Sequence, residues 1–152
     1  MSKRILAAGL VCSLALLAAA STAGDLPDRA YPAKMVRTKA DETPFQSFFP
    51  GISLYPLYGT FEGPGPHSVI VRNDPAIAEE VAHTHTNGYW AVVVSGRLMH
   101  WELSEPDRGP ILTAGASWFQ PGGVPHADLC LGPEVCITVI NWLDEGDFKP
   151  VE

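Results

Sequence analysis

The chain has 152 residues, 46% of them hydrophobic and only 18% charged, with a net charge of −7 at neutral pH. That length suits one domain, and the composition excludes a disordered chain. The acidic balance argues against nucleic acid as a partner and disfavours an anionic membrane surface.

The chain opens on Met1-Ser2-Lys3-Arg4, a short basic start. A charge-free, apolar run follows from Ile5 to Ala20, and then the small residues Ser21-Thr22-Ala23. This pattern predicts a secretory signal peptide over 1–23, cut after Ala23 or Ala20, and so a periplasmic or secreted protein. The alternative is an uncleaved anchor, but the run falls short of the roughly 20 residues that span a bilayer. Loss of 1–23 removes Lys3 and Arg4 and no acids, which takes the net charge from −7 to −9. After cleavage no membrane association is expected.

Residues 24–44 carry Pro27, Pro32 and Pro44 among several charges and read as an exposed N-terminal arm with one added strand near 33–39. From residue 45 to 152 the chain is a succession of short apolar runs: 52–58, 67–72, 80–85, 89–95, 97–103, 111–113, 117–119, 126–129 and 135–143. They are rich in Val, Ile, Tyr, Trp and Phe, as strands are. Turn signals separate them, among them Gly63-Pro64-Gly65-Pro66, Asn87-Gly88, Gly96 and Pro121-Gly122-Gly123. Asn87-Gly88 and Gly96 read as two hairpin turns that frame the strand 89–95. Helical periodicity is confined to the short stretch 76–82. Many short strands at regular spacing imply an all-β sandwich or barrel.

Cys130 and Cys136 remain once the leader is gone. An even count in an oxidising compartment favours a disulfide, and Gly132-Pro133 can turn the chain between them. Free buried thiols or a soft metal ligand are the alternatives. A bridge over so short a loop would contribute roughly 2 kcal/mol.

The chemistry concentrates in His83-Thr84-His85 and, some forty residues on, His126. Alternation along a strand puts His83 and His85 on one face. A third imidazole from a distant strand completes a three-nitrogen site that leaves coordination positions open. An isolated His-x-His is often only a surface feature. The flanking strands and the turn before His126 are what favour a divalent metal. By the same parity Tyr89, and Asp128 beside His126, face the histidines. Asp128 can hold a histidine ring or act as a base. His100 reads as a packed strand histidine, His67 as an edge or loop residue, and Glu79 and Glu80 as a solvated face. The four tryptophans read as core or dimer-interface material. No nucleophile elbow, phosphate loop or dinucleotide fingerprint occurs.

These residues resemble the two signature stretches of the cupin superfamily. His83-Thr84-His85, three residues, Tyr89, six residues and Gly96 reproduce the first, with Tyr89 in place of the usual Glu and Ile77 in place of an upstream Gly. Gly115, Pro121-Gly122-Gly123 and His126 match the second in full, with Cys130 in place of the closing Asn. The resemblance covers residues 52–143 and is similar in its details to exported single-domain cupins of unassigned function. It implies an antiparallel jelly-roll β-barrel with one divalent metal held by His83, His85 and His126. Fe2+ is favoured by likeness to three-histidine non-haem iron dioxygenases, while Zn2+, Mn2+ or Ni2+ also suit such a site. With no carboxylate ligand the ion keeps its full double charge, which favours an anionic or chelating substrate. Tyr89 and Asp128 would be catalytic, orienting substrate or moving a proton. The expected function is a metal-dependent oxygenase, or an isomerase or lyase, acting on a small polar metabolite. A non-catalytic metal- or ligand-binding module and a purely structural domain are the alternatives. A homodimer is a further expectation from fold-level analogy.

Overall fold

A computed structural model describes residues 34–59, 61 and 63–151. The expected signal peptide at 1–23 and the first part of the arm lie outside the described residues. Ten strands are present among the described residues: β1 (Gln46–Phe49), β2 (Ile52–Tyr58), β3 (His67–Asn73), β4 (His83–Thr84), β5 (Tyr89–Ser95), β6 (Leu98–Glu102), β7 (Ser117–Gln120), β8 (His126–Cys130), β9 (Cys136–Trp142) and β10 (Lys149–Pro150). They form two antiparallel sheets. One has six strands in the order β1-β2-β3-β9-β5-β7, the other four in the order β10-β4-β8-β6.

From β4 onward each strand belongs to the opposite sheet from the one before it. Every connection after β3 therefore crosses between layers, as in a double-sheet jelly roll. This corrects the hairpin expectation. Asn87-Gly88 does not join two paired strands, because it carries the chain from β4 in one sheet to β5 in the other. Gly96 makes the return crossing to β6. Its φ of +88° is open to glycine and strained for other residues, and a Cβ there would stand 2.7 Å from Cys136 Cα. The two sheets face one another and do not close into one continuous ladder.

Alternation explains the layer between them. In β5, Tyr89, Ala91 and Val93 are buried while Trp90, Val92 and Val94 are exposed, a one-sided strand read directly from its sequence. Val69 and Val71 of β3 and Trp142 of β9 join Tyr89 and Ala91 in one core cluster. Val93, Leu98, Cys130 and Cys136 form a second. Each aliphatic side chain so buried stabilises the fold by about 1.5–3 kcal/mol. Cys130 and Cys136 are bridged, tying the end of β8 to the start of β9 across the layers.

Several local expectations change. Residues 34–39 form no strand; after a short 3-10 turn at Ala40–Glu42, the added edge strand is β1, pairing with β2. Stretch 76–82 is not helical: Asp74 starts a turn that accepts from the Ile77 and Ala78 amides, and the chain then runs extended into β4. Only His83–Thr84 of the run 80–85 pairs as strand, and 111–113 contributes a single bridge, Leu112 to Leu98. His67 is neither edge nor loop. It opens β3, an inner strand between β2 and β9, is fully buried, and stacks on Trp142 at 5.8 Å.

Candidate metal centre

Strand register brings the histidines together. His83 of β4 stands directly opposite His126 of β8. His85 follows His83 by two residues and keeps to the same side. Two turns lock against each other beneath them. Gly123 donates its N–H to the His85 carbonyl at 2.7 Å, and Gly122 passes so near Thr86 that a Cβ would lie 2.4 Å from its oxygen. The Pro-Gly-Gly turn thus seats β8 beside the His-x-His segment.

His83, His85 and His126 are all buried. One ligand nitrogen from each lies within 4.8 Å of the other two. Their ring centroids stand 4.3 Å (His83–His126), 4.8 Å (His83–His85) and 5.0 Å (His85–His126) apart. Each ring uses Nδ1 on a backbone carbonyl: His83 on Val81 at 2.8 Å, His126 on Val124 at 2.9 Å, and His85 on Asp147. A neutral imidazole that donates from Nδ1 carries its lone pair on Nε2. Burial lowers the pKa of all three rings, of His85 and His126 to about 4, so they are neutral near pH 7. Three fixed, unprotonated Nε2 atoms are what a divalent ion requires. Nitrogens sharing one ion at about 2.1 Å stand roughly 3 to 3.5 Å apart, within ordinary side-chain adjustment of the spacing seen here. The residues present fit a metal.

Around the triad stand four further groups. Tyr89 is fully buried, and its hydroxyl lies 3.4 Å from His126 Nε2. Burial raises its pKa well above 10, with the Asp128 charge adding to this, so it is a neutral phenol and a hydrogen-bond donor. Asp128 faces His83, Oδ2 to Nε2 at 4.0 Å. Its other oxygen accepts from His100 Nδ1 at 2.6 Å, since His100 and Asp128 are cross-strand partners in β6 and β8. His100 Nε2 meets Gln120 Oε1 at 2.8 Å. The Gln120 amide nitrogen is committed to the carbonyls of Pro121 and Val124, which turns its oxygen toward His100. An acceptor beside each nitrogen favours the protonated form of His100. Burial alone would lower its pKa, but Asp128 and Gln120 outweigh that and raise it. Burial likewise works against Asp128, yet the His100 charge and hydrogen bond bring its carboxyl down to about 2.

The sequence-predicted residues His83, His85, His126, Tyr89 and Asp128 are therefore all brought to one place. Sequence reading missed the roles of His100, Gln120 and Asp147. Asp147 grips Thr86 through both oxygens, accepting from Thr86 N at 2.7 Å and Oγ1 at 2.6 Å, and so presents its carbonyl to His85. Glu79 and Glu80 are exposed, Glu80 pairing with Arg108 at 2.7 Å. A cavity of about 780 Å³, counted with its mouth, opens above the triad and is lined by residues of both sheets.

No family model matches the sequence, nor does any curated protein sequence. Solved structures do match in fold. The chain is similar to an RmlC-like cupin from Shewanella frigidimarina, at 22% identity and a TM-score of 0.54, over 72% of this chain and 90% of that one. It is similar to a chain from structures of the DMSP lyases RdDddP and RnDddQII, at 19% identity and a TM-score of 0.57, over 74% of this chain and 64% of that one. It also resembles the FeII form of HppE, at 20% identity and a TM-score of 0.54, over 75% of this chain and 63% of that one. With its alternating sheets and its three clustered histidines, the chain has the fold of the RmlC-like cupins.

Proposed function

We propose that this chain is an exported metal-dependent enzyme of the oxygenase or lyase/isomerase class. The observation that carries this is the convergence of three buried, neutral imidazoles whose Nδ1 atoms are all committed to backbone carbonyls. His83, His85 and His126 hold one divalent ion through Nε2, with Fe2+ favoured by the iron form of a fold neighbour. When bound, the ion supplies Lewis acidity and free coordination positions for an oxygen-donor substrate or water. The Cys130–Cys136 disulfide supports export to an oxidising compartment.

The chain's own residues set the rest. Tyr89, a neutral donor beside His126, hydrogen-bonds an oxygen seated among the histidines. Asp128 keeps a carboxylate facing His83 and accepts a proton from a bound oxygen or carbon acid. Its hydrogen bond with His100 fixes its orientation.

Oxygen consumption by the ferrous protein, measured over diketones, thiols and ring diols, together with product analysis for elimination or isomerisation, tests the reading. Turnover that disappears in His126→Ala supports it. Stoichiometric metal with no turnover on any class would leave a non-catalytic binding module in its place.

A further inference from the structure

We propose that the cavity takes an amphipathic substrate, with an oxygen-chelating head at the histidines and an apolar tail laid along β2 and β3. This rests on the reading of the three histidines as ligands and narrows the substrate beyond a small polar metabolite. The two walls of the cavity differ. His83 and Asp128 come from β4 and β8 of the four-stranded sheet, whereas the six-stranded sheet lines the other wall with Leu54, Val69 and Val71 beside two polar residues, Tyr89 and Asn73. On β3 alternation turns Val69, Val71 and Asn73 inward, and Ile52 and Leu54 of β2 stand opposite Asn73 and Val71. From Val69 to Asn73 this wall runs about 13 Å, four residues at roughly 3.3 Å each, the length of a medium acyl chain, apolar at Val69 and Val71 and ending on the Asn73 amide, whose buried Oδ1 has no hydrogen-bond partner.

The rim continues the apolar wall. Phe48 meets Phe61 and Phe148 edge to face, at 5.4 Å and 5.9 Å. Phe148 stacks on His83 at 4.3 Å, so one ring joins the rim to the metal-binding end. Charge points the same way. No lysine or arginine lines the cavity among the described residues, and its two ionisable acids are Asp128 and Glu79. A substrate with an anionic tail would meet no counter-ion beyond the histidines.

The test is calorimetric titration of the Zn2+-loaded full chain with a hydroxamate series that shares one chelating head: acetohydroxamate, hexanohydroxamate, octanohydroxamate and 7-carboxyheptanohydroxamate. Each methylene that enters the apolar wall is expected to tighten binding about threefold to fourfold, so octanohydroxamate should bind at least a hundredfold tighter than acetohydroxamate. The carboxylate-ended chain should bind at least tenfold weaker than octanohydroxamate. Leu54→Ser should weaken octanohydroxamate about tenfold and leave acetohydroxamate within twofold. If acetohydroxamate binds and longer tails gain nothing, the tail site is overturned while the metal reading stands. If neither Zn2+ nor acetohydroxamate binds, the ligand assignment itself fails and the tail site with it. The chain-length series in the unaltered protein decides the matter even if Leu54→Ser does not fold.

Discussion

At the scale of single residues, the decisive property of the triad is that its rings cannot easily take up protons. Ordinary imidazoles, with a pKa near 6.5, would be about nine-tenths protonated at pH 5.5. Three of them would lose roughly a thousandfold in metal affinity between pH 7.5 and 5.5, because protons compete for the same lone pairs. Burial lowers His83 and brings His85 and His126 down to about 4. Lowered histidines stay neutral as pH falls through 6.5 and protonate only below it. Zn2+ affinity measured by chelator competition at pH 5.5 should therefore lie within about tenfold of its value at pH 7.5, and a thousandfold loss would show freely titrating rings. Tyr89 makes a second test. As a neutral donor 3.4 Å from His126 Nε2, it contributes little to holding the ion. Tyr89→Phe should lower metal affinity by less than tenfold, and a loss as deep as that of His126→Ala would make Tyr89 a ligand. The three histidines were legible in the sequence because strand alternation and the Pro-Gly-Gly turn are local signals. His100 was not. Between Met99 and Trp101 it reads as packing, and its role depends on lying opposite Asp128, a pairing 28 residues away that composition does not encode. His67 was misread for the same reason, since its burial against Trp142 follows from register between β3 and β9.

At the scale of elements, local chemistry identified most strands but not their neighbours. The clean alternation of β5 and the dense turn residues marked strand positions closely. Asn87-Gly88 and Gly96 were equally clear as turns. Which strand lies beside which is a long-range property, however, and both turns cross between sheets. The short helix-like stretch 76–82 failed because a turn at Asp74 takes up its Ile77 and Ala78 amides, and seven residues are too few to hold a helix without tertiary support. Gly96 tests the crossing. Gly96→Ala forces a side chain into a left-handed conformation and toward Cys136 Cα, and should destabilise the fold by about 1–3 kcal/mol in urea unfolding. A change under about 0.5 kcal/mol would mean that this crossing is not tightly held.

At the scale of the whole molecule, strand alternation between two sheets accounts for the site. It sends β4 and β8 into one layer with the histidines and β5 into the other with Tyr89, so the polar groups meet between the layers. The six-stranded sheet also supplies the apolar side chains that face the histidines. A metal bound only by the folded chain adds stability by mass action, about 2.7 kcal/mol when free metal is a hundred times its dissociation constant. All of this depends on the triad holding an ion. The most direct measurement is metal content per chain, by elemental analysis of protein prepared from its native compartment, alongside His83→Ala, His85→Ala and His126→Ala prepared identically. The expected result is one divalent ion per chain, lost in each variant while the β-sheet circular dichroism is retained. A metal-free protein that stays metal-free on reconstitution with Fe2+, Zn2+, Mn2+ and Ni2+, or variants that keep their ion, would contradict the account.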